Sequence, residues 1–510
     1  MRKMFSKLLV LTLVLVMSVS LLAGCGGKSS EKKDITDRSE TADTKQNTGN
    51  DSVKNTEDMV TVKIALASVY DMTDAPMVQD AMNKVLAEKY GIQCELILIN
   101  MGSWQQQSNL LLTGSEVDVM TYFMLPLNTY VSNGQCLPLN DYVANASDTF
   151  KAIWSDEQMA GCQIGGVQYA IPNLRNFGNN MCFFVDTDKF AAMGYQVSDI
   201  TSLEDVDKFL YEAREAYSDL NYILVPQGSS TMVNGWNWDG LGDQNWVGVL
   251  GNCGHNTEVT NVFDDEGFQE FCGYTHKWYT DGLIMGDALS NQEDSKSLIR
   301  NGSALCAFGN SANGESEGLT KCIIVKNWTD ANNVAALSFG INPLSVHHDE
   351  AWTLLESLYV DDELATLLIN GIEGIHYIMN EDGSCSYPEG VDEMTSTYGN
   401  ATAYWAMPYA ANIPPITNLG GGATFFADLK KFNDESNLSG AMGFVFDSSA
   451  VVDEYSACLN IIQKYYDGLL CGVLDPDEVI PAAVQELEDA GMQKIIEAKQ
   501  EQLDALLSSK

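Results

Sequence analysis

The chain changes character twice along its length. An apolar run extends from Leu8 to Leu22, interrupted only by Thr12, Ser18 and Ser20. Residues 26–59 are then polar and charged, with Ile35, Ala42, Val53 and Met59 their only apolar side chains. From Val60 onward, short apolar runs alternate with segments of helical period. VTVKIALAS, from Val60, reads as a buried strand, and a helix runs from Pro76 to about Tyr90. CELILIN, from Cys94, is a second strand, Trp104 to Thr113 a helix, and Val117 to Tyr122 a third strand. Strands alternating with helices predict βαβ units, hence an α/β fold with parallel sheet. GGVQYAIP, from Gly165, reads as a turn and a strand ending at proline. Met181 to Val185 is a strand, followed by a helix around Asp188 to Met193. Ala335 to Ile341 is strand-like, and Asp349 to Asn370 has helical period. From about Val451 the chain is mostly helical, and its last segment is a long charged amphipathic helix. No short-period repeat is present, which excludes a solenoid.

The first two segments carry their own chemistry. Arg2, Lys3 and Lys7 precede the apolar run, and Leu22-Ala23-Gly24-Cys25 follows it. A basic start, a short apolar core and small residues before a cysteine describe a secretory leader with a lipobox. The run falls short of the ~20 apolar residues of a spanning helix. Residues 1–24 are therefore expected to be cut away, leaving Cys25 lipidated on the extracellular face of a bacterial cytoplasmic membrane. Residues 25–59 are then a tether too polar to offset its ordering entropy. As a flexible coil it would span on the order of 30 Å.

Net charge removes further classes. With 28 Lys+Arg against 70 Asp+Glu, the formal charge is −42, which repels nucleic acid and anionic head groups. The 12 cysteines show no CxxC and no dense framework, so most read as small buried apolar residues. Cys253, His255, Cys272 and His276 lack a usual zinc spacing, and no metal or other cofactor is expected. No nucleophile elbow, Walker loop, HExxH or dinucleotide fingerprint occurs. Carboxylates are too abundant for any pair to stand out as a glycosidase site. The expectation is a binding protein without catalytic residues.

Where would a ligand sit? In a parallel sheet it binds beyond the carboxyl ends of the strands. That nominates Tyr70 and Asp71 after the first strand, Trp104 after the second and Tyr122 after the third. The densest candidate is NGWNWDGLGDQNWVG, residues 234–248, which gathers Trp236, Trp238 and Trp246 with Asp239 and Asp243. Tryptophan faces match the C–H side of a sugar ring, and carboxylates and amides match its hydroxyls. The same three tryptophans also suit the core of a loop-rich subdomain, and the sequence leaves both readings open.

Several segments taken in order resemble the extracellular solute-binding lipoproteins of ABC importers, of the type that includes oligosaccharide-binding members. They are GSEVDVMTY, NGQCLPLNDYV, GGVQYAIP, FFVDTDKFAAMGY, YTDGLIMGDAL and IRNGSALCAFGN. The C-terminal third resembles a subset carrying a module of unknown function, through NGIEGIHYIMNEDG, YPEGVD, GFVFD and the ending from YDGLLCGVLDPDEVI. ATAYWAMPYAANIPP, from Ala401, departs from the family pattern. The resemblance implies two lobes, each a mostly parallel sheet flanked by helices, joined by a hinge with ligand between them. Lobe 1 would comprise 60–175 and 336–410; lobe 2 would comprise 176–335 and 411–510 with the helical module. Asn173, Arg175 and Trp405 would then lie at crossovers near the cleft, with Arg175 either donating to ligand or pinning the hinge. The implied function is monomeric capture of a carbohydrate, an oligosaccharide above all, and its delivery to permease subunits. The alternatives are a carbohydrate-degrading lipoprotein, a carrier of a cationic amine or peptide, and a sensor co-receptor.

Overall fold

The structure, a computed structural model, describes residues 59–509 except 229, 230, 234, 244, 312–317, 400 and 410. The leader, Cys25 and the tether to residue 58 lie outside the described residues.

The first lobe opens with strand β1 (Val60–Ser68), helix α1 (Ala75–Lys89), β2 (Ile92–Asn100), α2 (Trp104–Leu112) and β3 (Val119–Phe123). Helix α1 has proline in its first turn and buries Val78, Met82, Val85 and Leu86, one face at helical spacing. Strand β1 pairs in parallel with β2 on one side and β3 on the other. The short β4 (Ile171–Pro172) ends the first passage through this lobe.

The second lobe is built from β5 (Asn179–Asp186), α3 (Leu203–Ala216), β6 (Tyr222–Val225), α4 (Glu266–Thr280), β7 (Ala304–Ser311) and β8 (Leu319–Thr329). The chain then returns to lobe 1 as β9 (Leu337–Ile341), α5 (His348–Val360), α6 (Asp362–Asn370) and α7 (Phe425–Asp434). It crosses again at β10 (Asn437–Leu438) and finishes in lobe 2 with α8 (Val452–Leu470), α9 (Pro476–Ala490) and α10 (Met492–Ser509). The periodic segment 349–370 is two helices because Asp361 breaks it. Its carboxylate caps α6 by accepting from the Glu363 and Leu364 amides.

The sheets run β2-β1-β3-β9-β4 and β10-β8-β5-β7-β6. The expected parallel arrangement holds for β2-β1-β3. Strands β9 and β4 join antiparallel, as do β8 and β7 on either side of β5. Both sheets are therefore mixed, not mostly parallel. The strands that carry the chain between lobes turn back without a helical crossover, and such strands pair antiparallel.

The lobe boundary also needs correction. Ile413, Phe426, Leu429 and Met442 belong to the first lobe's core, where Tyr404 meets the Phe425 and Phe426 rings edge-on. Residues 411–434 thus complete lobe 1 instead of opening lobe 2, and the last crossover falls near 435–443. Helices α8 to α10 do pack on lobe 2, through Cys458, Ile462, Tyr466, Leu469, Leu487 and Ile495.

Side-chain amides tie the crossovers together. Asn433 accepts from the Phe177 amide (3.0 Å) and donates to the Arg175 carbonyl (2.7 Å). Asn333 donates to the Phe177 carbonyl, and Asn327 donates to the Phe432 carbonyl at 2.6 Å. Gly178 lies so close to the Asn327 and Ser436 side chains that a Cβ there would collide with both. Three crossing segments of backbone are thereby tied to one another.

Candidate functional site

A cavity of about 930 Å³ lies between the lobes with the crossovers at its back. Lobe 1 contributes Phe123, Met124, Leu125 and Pro126, the segment leaving β3. The second crossover contributes Trp328, Asp330, Asn332 and Asn333. Lobe 2 contributes Trp236, Trp238, Asp239, Asp243, Asn245, Trp246, Tyr466 and Asp467.

The main wall is a pinched loop. Asp239 and Leu250 exchange backbone hydrogen bonds of 2.7 and 2.9 Å, so residues 240–249 form an excursion with adjacent ends. Inside it, the Asp243 carboxylate accepts from the Asn245 amide (2.9 Å) and the Val247 amide (3.2 Å). Trp246 has φ 61°, a left-handed backbone rarely adopted outside glycine. Its half-buried ring stacks on Tyr466 of α8 (centroids 6.2 Å apart, planes at 16°) and meets Trp238 edge-on at 6.4 Å. Opposite, Met124 is 46 % exposed and also left-handed, with φ 67°. Two partly buried apolar residues with left-handed backbone, one from each lobe, therefore line the cavity.

The cavity gathers four of the predicted site residues: Trp236, Trp238, Asp239 and Trp246. Two of the tryptophans serve mainly as core, with Trp236 3 % and Trp238 1 % exposed. Trp236 packs on Phe271 and Phe308, and Trp238 packs on Phe268. Trp246 offers the free ring. Asp239 points inward and accepts from the Leu241 amide (2.7 Å) and the Ala331 amide (2.9 Å), joining the loop to the second crossover.

The other predicted residues do not line the cavity. Tyr70 and Asp71 follow β1 as expected, but Tyr70 is half-buried against Gly399 and Asp71 is exposed to solvent. Trp104 is fully buried beside Phe123, because the first turn of α2 turns it into lobe 1. Tyr122 is likewise in the core, its ring tilted against Tyr130 and its hydroxyl 3.0 Å from the Gln135 carbonyl. Strand alternation explains this: Tyr122 faces inward, and Phe123 is the next residue at the strand's end. Asn173 is buried and donates to the Trp405 carbonyl. Trp405 is half-buried, 6.3 Å from the Phe123 ring at the cavity's edge. Arg175 donates to the Asn333 carbonyl and to its side-chain oxygen (2.9 Å) and to the Asn176 carbonyl (2.9 Å). Arg175 therefore ties the first crossover to the second at Asn333.

Met124, Asp330, Tyr466 and Asp467 were missed. Tyr466 and Asp467 stand in the YDGLL segment, whose spacing marks only a buried helix face. Nothing in the local sequence marks Met124.

The cavity is acidic. Asp239, Asp243, Asp330 and Asp467 line it, with no Lys or Arg among the described lining residues. Burial raises the pKa of Asp239, and partial desolvation raises that of the more exposed Asp467, with Thr231 opposing. Burial, and then the nearby Asp239 charge, raise Asp330 to about 7, with Arg175 opposing. Because the folded form holds its proton to higher pH than the unfolded chain, this contribution to stability is full at low pH and is lost as pH rises through about 7. Asp330→Asn has no such proton to lose. Its melting temperature should gain on the parent between about pH 5 and about pH 8; a constant difference across that range would contradict the assignment.

Ten of the eleven described cysteines are buried, and none of the eleven is joined in a disulfide. Cys272 sits in the lobe 2 core, and His276 Nδ1 lies 2.9 Å from the Gly472 carbonyl. Among the described residues no three His, Cys, Asp or Glu side chains converge on a metal position.

Residues 440–508 match a family model described as a domain of unknown function (DUF3502). GFVFD and the C-terminal ending lie inside that match, whereas NGIEGIHYIMNEDG and YPEGVD lie before it. A carbohydrate ABC transporter substrate-binding protein of Streptococcus pneumoniae serotype 4 (strain ATCC BAA-334 / TIGR4) is 23% identical over 464 residues, 87% of this chain and 91% of that protein. The crystal structure of the N-glycan transport solute-binding protein NgtS of S. pneumoniae superposes with a TM-score of 0.72 at 20% identity, covering 88% of this chain and 99% of that one. The same protein in complex with Man5GlcNAc gives a TM-score of 0.57 at 19% identity over the same shares. These likenesses show the fold: two α/β lobes of the solute-binding-protein type.

Proposed function

We propose that this chain, with its two-lobed solute-binding fold, is an extracellular lipid-anchored binding protein of an ABC importer that captures an oligosaccharide between its lobes. The observation that carries the reading is the Trp246 ring, braced by Tyr466 and presented to a cavity rimmed with carboxylates and amides. A sugar's C–H face would lie on that ring, and its hydroxyls would donate to Asp243, Asp330 and Asp467. Each neutral hydrogen bond nets only about 0.5–1.5 kcal/mol, so several must act with stacking. A micromolar complex needs about −8 kcal/mol, within reach of such a set after ordering costs.

Closure follows from the same geometry. A ligand shifts the joint only through contacts that differ between open and closed forms. Met124 and Phe123 on lobe 1 face the loop of lobe 2, so a ligand touching both favours the closed form. The lobes, the lipid at Cys25 and docking of the closed form on a permease complete the reading. The likeness to carbohydrate-carrier relatives and the lipobox support it.

Asp330, with its proton held to near neutral pH, is a feature a hydrolase would also want. A thermal-shift screen followed by recovery of the sugar decides between the two. Neutral oligosaccharides should raise the melting temperature by several degrees, since ligand at about 100 times Kd adds about 2.7 kcal/mol. They should be recovered intact, while amines and peptides leave the melting temperature unmoved. Shortened sugar, or a shift with amines alone, would overturn the proposal.

A further inference from the structure

The loop that presents Trp246 is held from behind by the C-terminal helix. Lys499, on α10, is fully buried. Its ammonium donates to the carbonyls of Val247 (2.7 Å), Gly248 (2.8 Å) and Gly240 (3.3 Å). The Asp243 carboxylate lies 3.8 Å away, and the Phe446 ring centroid is 5.2 Å away. Three carbonyls from both ends of one excursion thus converge on a single cation. Carbonyls pointing inward at this spacing repel one another unless a positive donor sits between them.

The excursion needs such a clasp. Leu241 and Trp246 both hold left-handed backbone, which costs of order 1 kcal/mol each for a side-chain-bearing residue and persists only when the surroundings impose it. Helix α8 of the same C-terminal segment supplies Tyr466, on which the Trp246 ring rests. Burial lowers the Lys499 pKa to about 8 while Asp243 and Asp239 oppose it, so the amine is still mostly charged at neutral pH.

We propose that the C-terminal helical module acts as a clasp for ligand recognition, and that Lys499 is the positioning residue that sets the Trp246 loop in its binding shape. The inference rests on the oligosaccharide reading for its affinity readout, but not for its spectroscopic one.

The test uses the full described chain with Lys499→Met, and Leu487→Ala as a control. Leu487 is a fully buried residue of α9, in the same module but outside the loop contacts. Near-ultraviolet circular dichroism of the unliganded proteins reports the Trp238–Trp246–Tyr466 cluster. Calorimetry reports affinity for whichever neutral oligosaccharide the parent protein binds. Lys499→Met should flatten the tryptophan bands and weaken binding at least tenfold while far-ultraviolet spectra stay unchanged. Leu487→Ala should lower the melting temperature but keep both the bands and the affinity. Should Lys499→Met fail to fold, Lys499→Gln, which keeps an amide donor, carries the same test with a smaller loss. Parent-like bands, parent-like affinity, or an equal loss in Leu487→Ala would each overturn the proposal. A parent protein that binds no sugar would sink the oligosaccharide reading and leave the dichroism to decide the clasp.

Discussion

Truncating Trp238 to alanine is expected to cost about 3–5 kcal/mol of folding stability, the range for removing a large aromatic from a packed core. Its ring is buried among Phe268, Trp246 and the α8 face, and a cavity there has little freedom to collapse. Trp246→Gly should behave differently. Glycine adopts the left-handed backbone of residue 246 without strain, which offsets part of the packing lost with the half-buried ring, so stability should fall less than in Trp238→Ala. With the ring gone, sugar affinity should fall about tenfold to a hundredfold, which is roughly 1.4–2.7 kcal/mol. Urea unfolding and titration on both variants separate the effects. A Trp238→Ala protein as stable as the parent, or a Trp246→Gly protein of unchanged affinity, would contradict the division of labour between the two rings.

The second large effect is at Asp239. Its carboxylate is buried and accepts from the Leu241 and Ala331 amides, so it joins the loop to the second crossover. Asp239→Ala leaves both amides buried and unpaired. A hydrogen bond to a charged group nets about 1.5–3 kcal/mol, so a loss of roughly 3 kcal/mol or more is expected. Asp239→Asn keeps one acceptor oxygen and should lose about half as much. Equilibrium unfolding in urea measures both. A change within about 0.5 kcal/mol for Asp239→Ala would show that the pin is not needed.

The local elements were legible because their signals are local. Apolar runs bounded by turn residues marked β1 and β2, and the Pro76 start with Val78, Met82 and Leu86 on one face marked α1. Pairing direction was not legible. Nothing in the residues of β9 says that it returns antiparallel from another lobe, since that depends on a crossover more than a hundred residues away. The same limit misplaced 411–434: Phe425 and Phe426 look alike whether they pack on Tyr404 or on the module.

The site was legible in part for a related reason. Clustering of Trp236, Trp238 and Trp246 marked the loop, but composition does not say which ring is left free. That depends on the left-handed turn at Trp246 and on Tyr466, 220 residues on. Trp104 and Tyr122 were placed at strand ends by topology. Their inward rotamers follow from helix start and strand phase, which fix orientation only to within a residue. Lys499 read as one more charge on an amphipathic helix. Only the folded chain shows that its helix presents it to the Val247 and Gly248 carbonyls.

The most direct test of the central claim is titration calorimetry of the folded chain with the neutral oligosaccharide that most raises its melting temperature. The account predicts a saturable heat at one site per chain, micromolar or tighter, that Trp246→Gly weakens at least tenfold. No heat with this or any other neutral oligosaccharide, at concentrations well above micromolar, would contradict it.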